Sequence, residues 1–179
     1  MMNRRLLTLL CIIAIGFASM WCAPSTPSGA VVGERGPFLV KRGEGEKVLG
    51  IGTIKASPRT GTQGAALFYW SIPEPGSGGV HVHDSADEFF YILSGTGSVL
   101  VGEKKESFGP GDTILVPKGT DHGISPASPV EMLFFVDKPG LADEFREVTA
   151  KSNGGKTQLT LEEVNAISQK YGTTYKSLR

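Results

Sequence analysis

Between Pro37 and about Asp137 the apolar residues fall in short runs: VLGIGTIKA, AALFYWSI, VHVH, EFFYIL, GSVLVG, DTILVP and VEMLFFV. Each run is closed by Gly, Pro, Asp or Ser, and runs of this length that alternate or are apolar throughout predict β-strands. Many short strands at close spacing predict an antiparallel sandwich or barrel. No run recurs at a fixed spacing, which predicts one barrel without an internal duplicate. After Pro139 the apolar period changes from two to three and four, in LADEFREV and in LTLEEVNAISQKYG, and predicts two helices that close the chain. Thr160 stands three residues before Glu163, the spacing of a capping box, and Gly172 follows as a stop signal. Leu161, Val164, Ile167 and Tyr171 form one stripe, expected to pack on the barrel or on a neighbouring subunit.

The first residues break this pattern. Arg4 and Arg5 precede an apolar run from Leu6 to about Ala18, the order of a secretory signal peptide. Gly16 and Ala18 suit cleavage after Ala18; cleavage after Ala23 would leave Pro24 at the new N-terminus. Residues 1–18, or to 23, are therefore assigned to the signal, 24–36 to a Pro/Ser/Gly-rich linker, 37–137 to the barrel and 138–179 to a helical extension. The chain is expected to be exported, periplasmic or secreted. The alternatives are a membrane tether through an uncleaved Leu6–Ala23 segment of 18 uncharged residues, or a lipid on Cys22, which Ser19, Met20 and Trp21 fit poorly.

Composition narrows the chemistry. The 179 residues carry 18 Lys and Arg against 18 Asp and Glu, so the basic footprint of a nucleic-acid binder is missing. No membrane contact is expected beyond the signal segment. The 24 glycines and 11 prolines suit many turns. Cys11 and Cys22 both lie in the leader, so the folded part has no disulfide, no thiolate metal site and no cysteine nucleophile.

The 3 histidines, His81, His83 and His122, stand close to one another along the chain. His81 and His83 are two apart on a strand-like run, which sends both imidazoles to one face. After the turn DSAD, a neighbouring antiparallel strand is expected to return Glu88 to that face. His122 follows a tight turn at Pro117 and Gly119 and would be the fourth donor. By the same alternation Phe90, Ile92 and Ile124 should line a mainly apolar pocket beside these groups, while Phe89, Tyr91 and Leu93 face outward. Leu67, Phe68, Tyr69 and Trp70 leave a second strand apolar on both faces. An outer face so apolar should be covered, and a second subunit is expected to cover it, giving a homodimer.

GSGGVHVHDSADEFFYILSG and GPGDTILVPKGTDH resemble the two signature motifs of the cupin superfamily. His81, His83, Glu88 and Gly95 follow the first motif, and Gly111, Pro117, Gly119 and His122 follow the second. Gly76 lies one residue closer to the first histidine than in the family, and Pro126 stands where an asparagine often ends the second motif. The resemblance implies an all-β double-stranded β-helix, the jelly-roll or cupin barrel, with six to eight or more strands. The short C-terminal helices resemble those of small single-domain bacterial cupins labelled quercetin-dioxygenase-like.

Three imidazoles and one carboxylate can hold one divalent ion, with open positions left for water, oxygen or substrate; the set accepts iron, manganese, nickel, cobalt, copper or zinc. The expected function is a metal-dependent dioxygenase-like enzyme acting on a small aromatic or polyphenolic substrate. The resemblance gives Glu88 a second role, as the base that accepts a substrate hydroxyl proton. The alternatives are a non-catalytic cupin that binds a metal or small ligand, and a manganese- or zinc-dependent oxalate or sugar-isomerase type. Against the last, Lys118 is the one cation within the motifs, where a dianion or sugar phosphate would want several.

Overall fold

The computed structural model describes residues 38–73 and 79–178. The leader, the linker and Gly76 lie outside them.

Among the described residues, eleven strands form two antiparallel sheets. Five of them are β1 (Glu46–Val48), β2 (Gly52–Ala56), β3 (Ala66–Ile72), β4 (His81–His83) and β5 (Glu88–Ser94). The others are β6 (Gly97–Val101), β7 (Lys104–Phe108), β8 (Thr113–Val116), β9 (His122–Pro126), β10 (Val130–Val136) and β11 (Thr173–Tyr175). One sheet runs β1-β2-β3-β10-β5-β8 and the other β11-β4-β9-β6-β7. This is an all-β jelly roll, in which successive segments pass from one sheet to the other.

Alternation decides which side chains enter the core. On β5, Glu88, Phe90 and Ile92 are buried, whereas Phe89, Tyr91 and Leu93 are exposed. On β3 the inward residues are Ala66, Phe68, Trp70 and Ile72; Leu67 and Tyr69 on the other face are only part-buried. Phe68 stacks on Phe134 of β10 at 4.4 Å between ring centroids.

Two helices follow the barrel, α1 (Gly140–Lys151) and α2 (Leu161–Ser168). Leu141, Ala142 and Phe145 are the buried apolar residues of α1. The Phe145 ring meets those of Trp70 at 5.2 Å and Phe68 at 5.3 Å, so α1 packs on the inner face of the six-stranded sheet. Arg146 ties the helix down: its Nη2 reaches Glu46 Oε2 of β1 at 2.6 Å, and its Nη1 reaches Asp143 Oδ1 at 2.9 Å.

α2 starts at the predicted capping box. The Glu163 amide donates to Thr160 Oγ1 at 3.2 Å, and the Thr160 amide donates to Glu163 Oε2 at 3.0 Å. Val164 and Ile167 of its stripe are buried as the helix packs on α1 and β11, but Leu161 is 37% exposed. Tyr171 lies beyond the helix, in a short 3₁₀ turn, and donates its hydroxyl to Glu147 Oε2 at 2.9 Å.

The chain does not end in helix. After Gly172, whose φ of 78° turns the backbone, β11 pairs with β4 and joins the barrel's five-stranded sheet. Three residues are too few to show a period, so this strand exists only because β4 offers it a free edge. Among the described residues no helix is long and apolar enough to cross a membrane.

Candidate metal centre

The four donors come from three strands in two sheets. His81 and His83 alternate on β4, and His122, the first residue of β9, stands opposite His81 in register. Directly opposed residues of an antiparallel pair share a face, so all three imidazoles point into the barrel. Glu88 opens β5, and here the structure corrects the sequence expectation. β5 does not neighbour β4; it pairs with β10 and β8 in the other sheet. The turn at 84–87 therefore carries the chain across the barrel, and Glu88 faces the imidazoles from the opposite wall.

One ligand atom from each of His81, His83, Glu88 and His122 lies within 4.8 Å of all the others. His122 Nε2 is 2.8 Å and His83 Nε2 is 3.5 Å from Glu88 Oε2. Divalent ions bind such atoms at about 2.0–2.2 Å, so side-chain shifts of a few tenths of an ångström would let one ion reach the set. His83, Glu88 and His122 are 5%, 3% and 1% exposed, and His81 is half-buried.

Each imidazole is held from behind. His81 Nδ1 lies 3.3 Å from Gly79 O, His122 Nδ1 lies 3.0 Å from Thr120 O, and His83 Nδ1 lies 3.0 Å from Thr173 Oγ1. The inward atoms have no such partners. His83 Nε2, His122 Nε2 and Glu88 Oε2 are buried without a well-aligned hydrogen bond, even though His122 and Glu88 sit at ion-pair distance. Buried polar atoms left so are costly, and an ion at their meeting point would satisfy all of them. The residues present fit a metal ion.

The electrostatics agree with paired donors. Burial, then the nearby His122, pushes His81 down to about 3, so this ring is neutral at ordinary pH. Burial works against the charge of Glu88, but hydrogen bonding and charge from His122 and His83 outweigh it and hold the carboxyl well below the usual range. Burial likewise opposes a proton on His122, and Glu88 outweighs it, so His122 keeps its proton to a higher pH than a free imidazole.

The second motif turn fixes the ligand strands. The Gly119 amide donates to His83 O at 2.7 Å, and the Lys118 amide donates to Asp87 Oδ1 at 2.8 Å. Gly95, Gly111 and Gly119 all take positive φ. At Gly95 the backbone of Pro129 leaves no room for a Cβ, which would meet Pro129 O at 2.1 Å. Phe90, Ile92 and Ile124 are buried within the main hydrophobic core. A small cavity lies against the Thr173 side of His83, lined also by Ala86, Lys138, Leu141 and Tyr171, and these three core residues are not part of its lining.

Three further residues stand around the donors, and the sequence pattern did not single them out. The Tyr175 ring stacks on His81 at 4.8 Å, Thr173 meets His83, and Glu144 accepts the Thr173 hydroxyl at 2.6 Å. Burial lifts Glu144 to about 6. Its one visible signal was an acid standing among the apolar residues of a helix, beside Leu141, Ala142 and Phe145.

Comparison with known proteins bears on the same segment. Residues 68–136 match the family model described as the cupin domain. A search of curated proteins found no match. Among solved structures the chain is similar to a conserved protein of unknown function from Streptococcus pyogenes, at 22% identity over 50% of this chain and 74% of that one, with TM-score 0.43. It is similar to an uncharacterized conserved protein with a double-stranded β-helix domain from Klebsiella pneumoniae, at 17% identity over 56% and 84% of the two chains, with TM-score 0.45. A cupin protein from Bacteroides fragilis is 28% identical over 44% of this chain and 70% of its own, with TM-score 0.41. The matched residues run from within β3 to the end of β10 and make up most of the two-sheet barrel, so this segment is similar to the cupin domain and has a jelly-roll fold.

Proposed function

We propose that this chain is an exported, metal-dependent cupin that performs dioxygenase-type chemistry on a small aromatic or polyphenolic molecule, with His81, His83, Glu88 and His122 holding one divalent ion. The observation that supports it is the convergence of three imidazoles and one carboxylate on one point of an apolar barrel, with their inward atoms lacking other partners. A bound redox-active ion would supply Lewis acidity and open positions for oxygen and a substrate hydroxyl. Glu88 is the one carboxylate of the set and the group that would take the proton of that hydroxyl. Phe90 and Ile92 follow Glu88 on the inward face of β5 and, with Phe134, belong to the apolar core of the barrel, which favours an aromatic partner over a charged one. Lys118 is exposed on its turn, which weighs against a dianionic substrate. The arginine-led apolar leader supports export, and the apolar outer face of the six-stranded sheet supports a homodimer.

The test begins with elemental analysis of the purified protein beside a His122→Ala variant, followed by oxygen uptake with a flavonol or catechol. About one redox-active ion per chain, largely lost in the variant, together with substrate-dependent oxygen uptake, is the expected result. Stoichiometric metal without oxygen uptake would leave a metal- or ligand-binding cupin. No metal in either protein, even after reconstitution, would overturn the metal assignment.

A further inference from the structure

We infer that Thr173 and Glu144, both outside the matched cupin segment, are positioning residues that fix which nitrogen of His83 faces the metal site. This rests on the four-donor reading above and deepens it.

The strand register places the parts. In the β11–β4 pair Thr173 stands opposite His83 and Tyr175 opposite His81, with Thr174 opposite Val82. Opposed residues share a face, so β11 presents a hydroxyl to one β4 histidine and a ring to the other. Behind Thr173 stands Glu144 of α1, fully buried, with its Oε2 2.6 Å from Thr173 Oγ1.

Hydrogen-bond polarity does the rest. His81 and His122 rest their Nδ1 atoms on the carbonyls of Gly79 and Thr120. A carbonyl only accepts, so those rings must carry a hydrogen on Nδ1, and in their neutral form the Nε2 lone pair faces the site. His83 alone rests on a hydroxyl, which can donate or accept and would tolerate either tautomer. A carboxylate behind it removes the choice. The Thr173 hydroxyl has one proton and gives it to Glu144 Oε2, so towards His83 it can only accept. His83 then carries its hydrogen on Nδ1, and its Nε2 lone pair faces Glu88 and His122. The reverse chain would put the hydrogen on Nε2, where it would block an ion. A role in orienting His83 also accounts for a fully buried carboxylate at a site where packing alone would take an apolar residue.

The test uses the full chain at pH 7.5, where Glu144 is ionised. Nitrogen chemical shifts of the imidazoles in metal-free protein report the His83 tautomer, and competition with a chelator reports cobalt(II) affinity. In the wild type His83 is expected as the Nδ1-protonated tautomer. Thr173→Val and Glu144→Gln should each lower cobalt affinity by about 10–100-fold and mix the tautomers, while Thr173→Ser keeps both properties. Unchanged tautomer and affinity in both variants, with circular dichroism showing a native fold, would overturn the inference. A wild-type His83 protonated on Nε2 would overturn it without any variant. If the wild type binds no cobalt yet shows a Thr173-dependent Nδ1 tautomer, the metal assignment fails and the positioning role stands.

Discussion

Glu88 faces His122 across the barrel at 2.8 Å, although the two residues lie on strands of different sheets that share no hydrogen bond. The pair brings opposite charges together in a buried space, and His83 Nε2 approaches the same carboxylate oxygen at 3.5 Å. Everything the site can do depends on this meeting of two walls.

Glu88→Gln keeps the shape of that carboxylate and removes its charge. Cobalt(II) affinity measured by calorimetric titration should fall by more than the about 10–100-fold typical of losing an outer hydrogen-bond partner. A smaller loss would mean that Glu88 is not a ligand. Because Glu88 helps His122 keep its proton, wild-type binding near neutral pH should release more protons than binding to the variant. The heat of binding in buffers of different ionisation enthalpy reads that difference.

Acid should weaken the metal-free protein through His81. The unfolded ring takes a proton near the ordinary 6.5 and the folded ring only near 3, so the unfolded state binds more protons between those values. Stability from this group is thus full above 6.5 and lost at about 1.4 kcal/mol per pH unit as the pH falls towards 3. Glu88, held low, acts in the same direction in stronger acid. Glu144, raised to about 6, acts oppositely: its contribution is lost as pH rises through that value. Comparison with His81→Gln isolates the first effect. Between pH 6.5 and 4.5 the wild type should lose about 2–3 kcal/mol relative to the variant in urea unfolding. Parallel curves would show that His81 is not held neutral by the fold.

Two motif glycines should differ in their tolerance of a methyl group. Gly119 has φ 73° and open space around it, so Gly119→Ala should cost only the roughly 1–2 kcal/mol of a left-handed residue. Gly95, at φ 85°, adds a clash with the Pro129 carbonyl, and Gly95→Ala should cost more than about 3 kcal/mol. Equal urea midpoints for the two variants would refute the packing at Gly95.

The outer face of the six-stranded sheet should be the dimer contact. In register across four strands, Leu67, Phe135, Phe89 and Leu115 form one row, and Leu115 is 52% exposed. Light scattering at micromolar concentration should give the dimer mass for the wild type and the monomer mass for Phe89→Lys/Leu115→Lys. A monomeric wild type would remove this interface.

The barrel and its donors were legible because both rest on local rules. Alternation along EFFYIL put Glu88, Phe90 and Ile92 on one face before any fold was known, and the spacing of His81 and His83 did the same for two imidazoles. The capping box at Thr160 is a contact three residues apart, and it formed where the sequence placed it. What lay beyond reach were pairings between segments distant in the chain. Nothing local says that the turn after His83 changes sheets, because a hairpin and a crossover can use the same Asp and Ser residues. Nor can three residues such as Thr173–Tyr175 declare themselves a strand, since their extended form depends on the free edge of β4, some 90 positions earlier. The sequence by itself determined which residues could bind a metal, through the chemistry of their side chains and the period of their strands. Only the tertiary structure decided how those residues meet, because antiparallel register and the packing of α1 against the barrel bring Glu88 and Glu144 to the histidines from opposite directions.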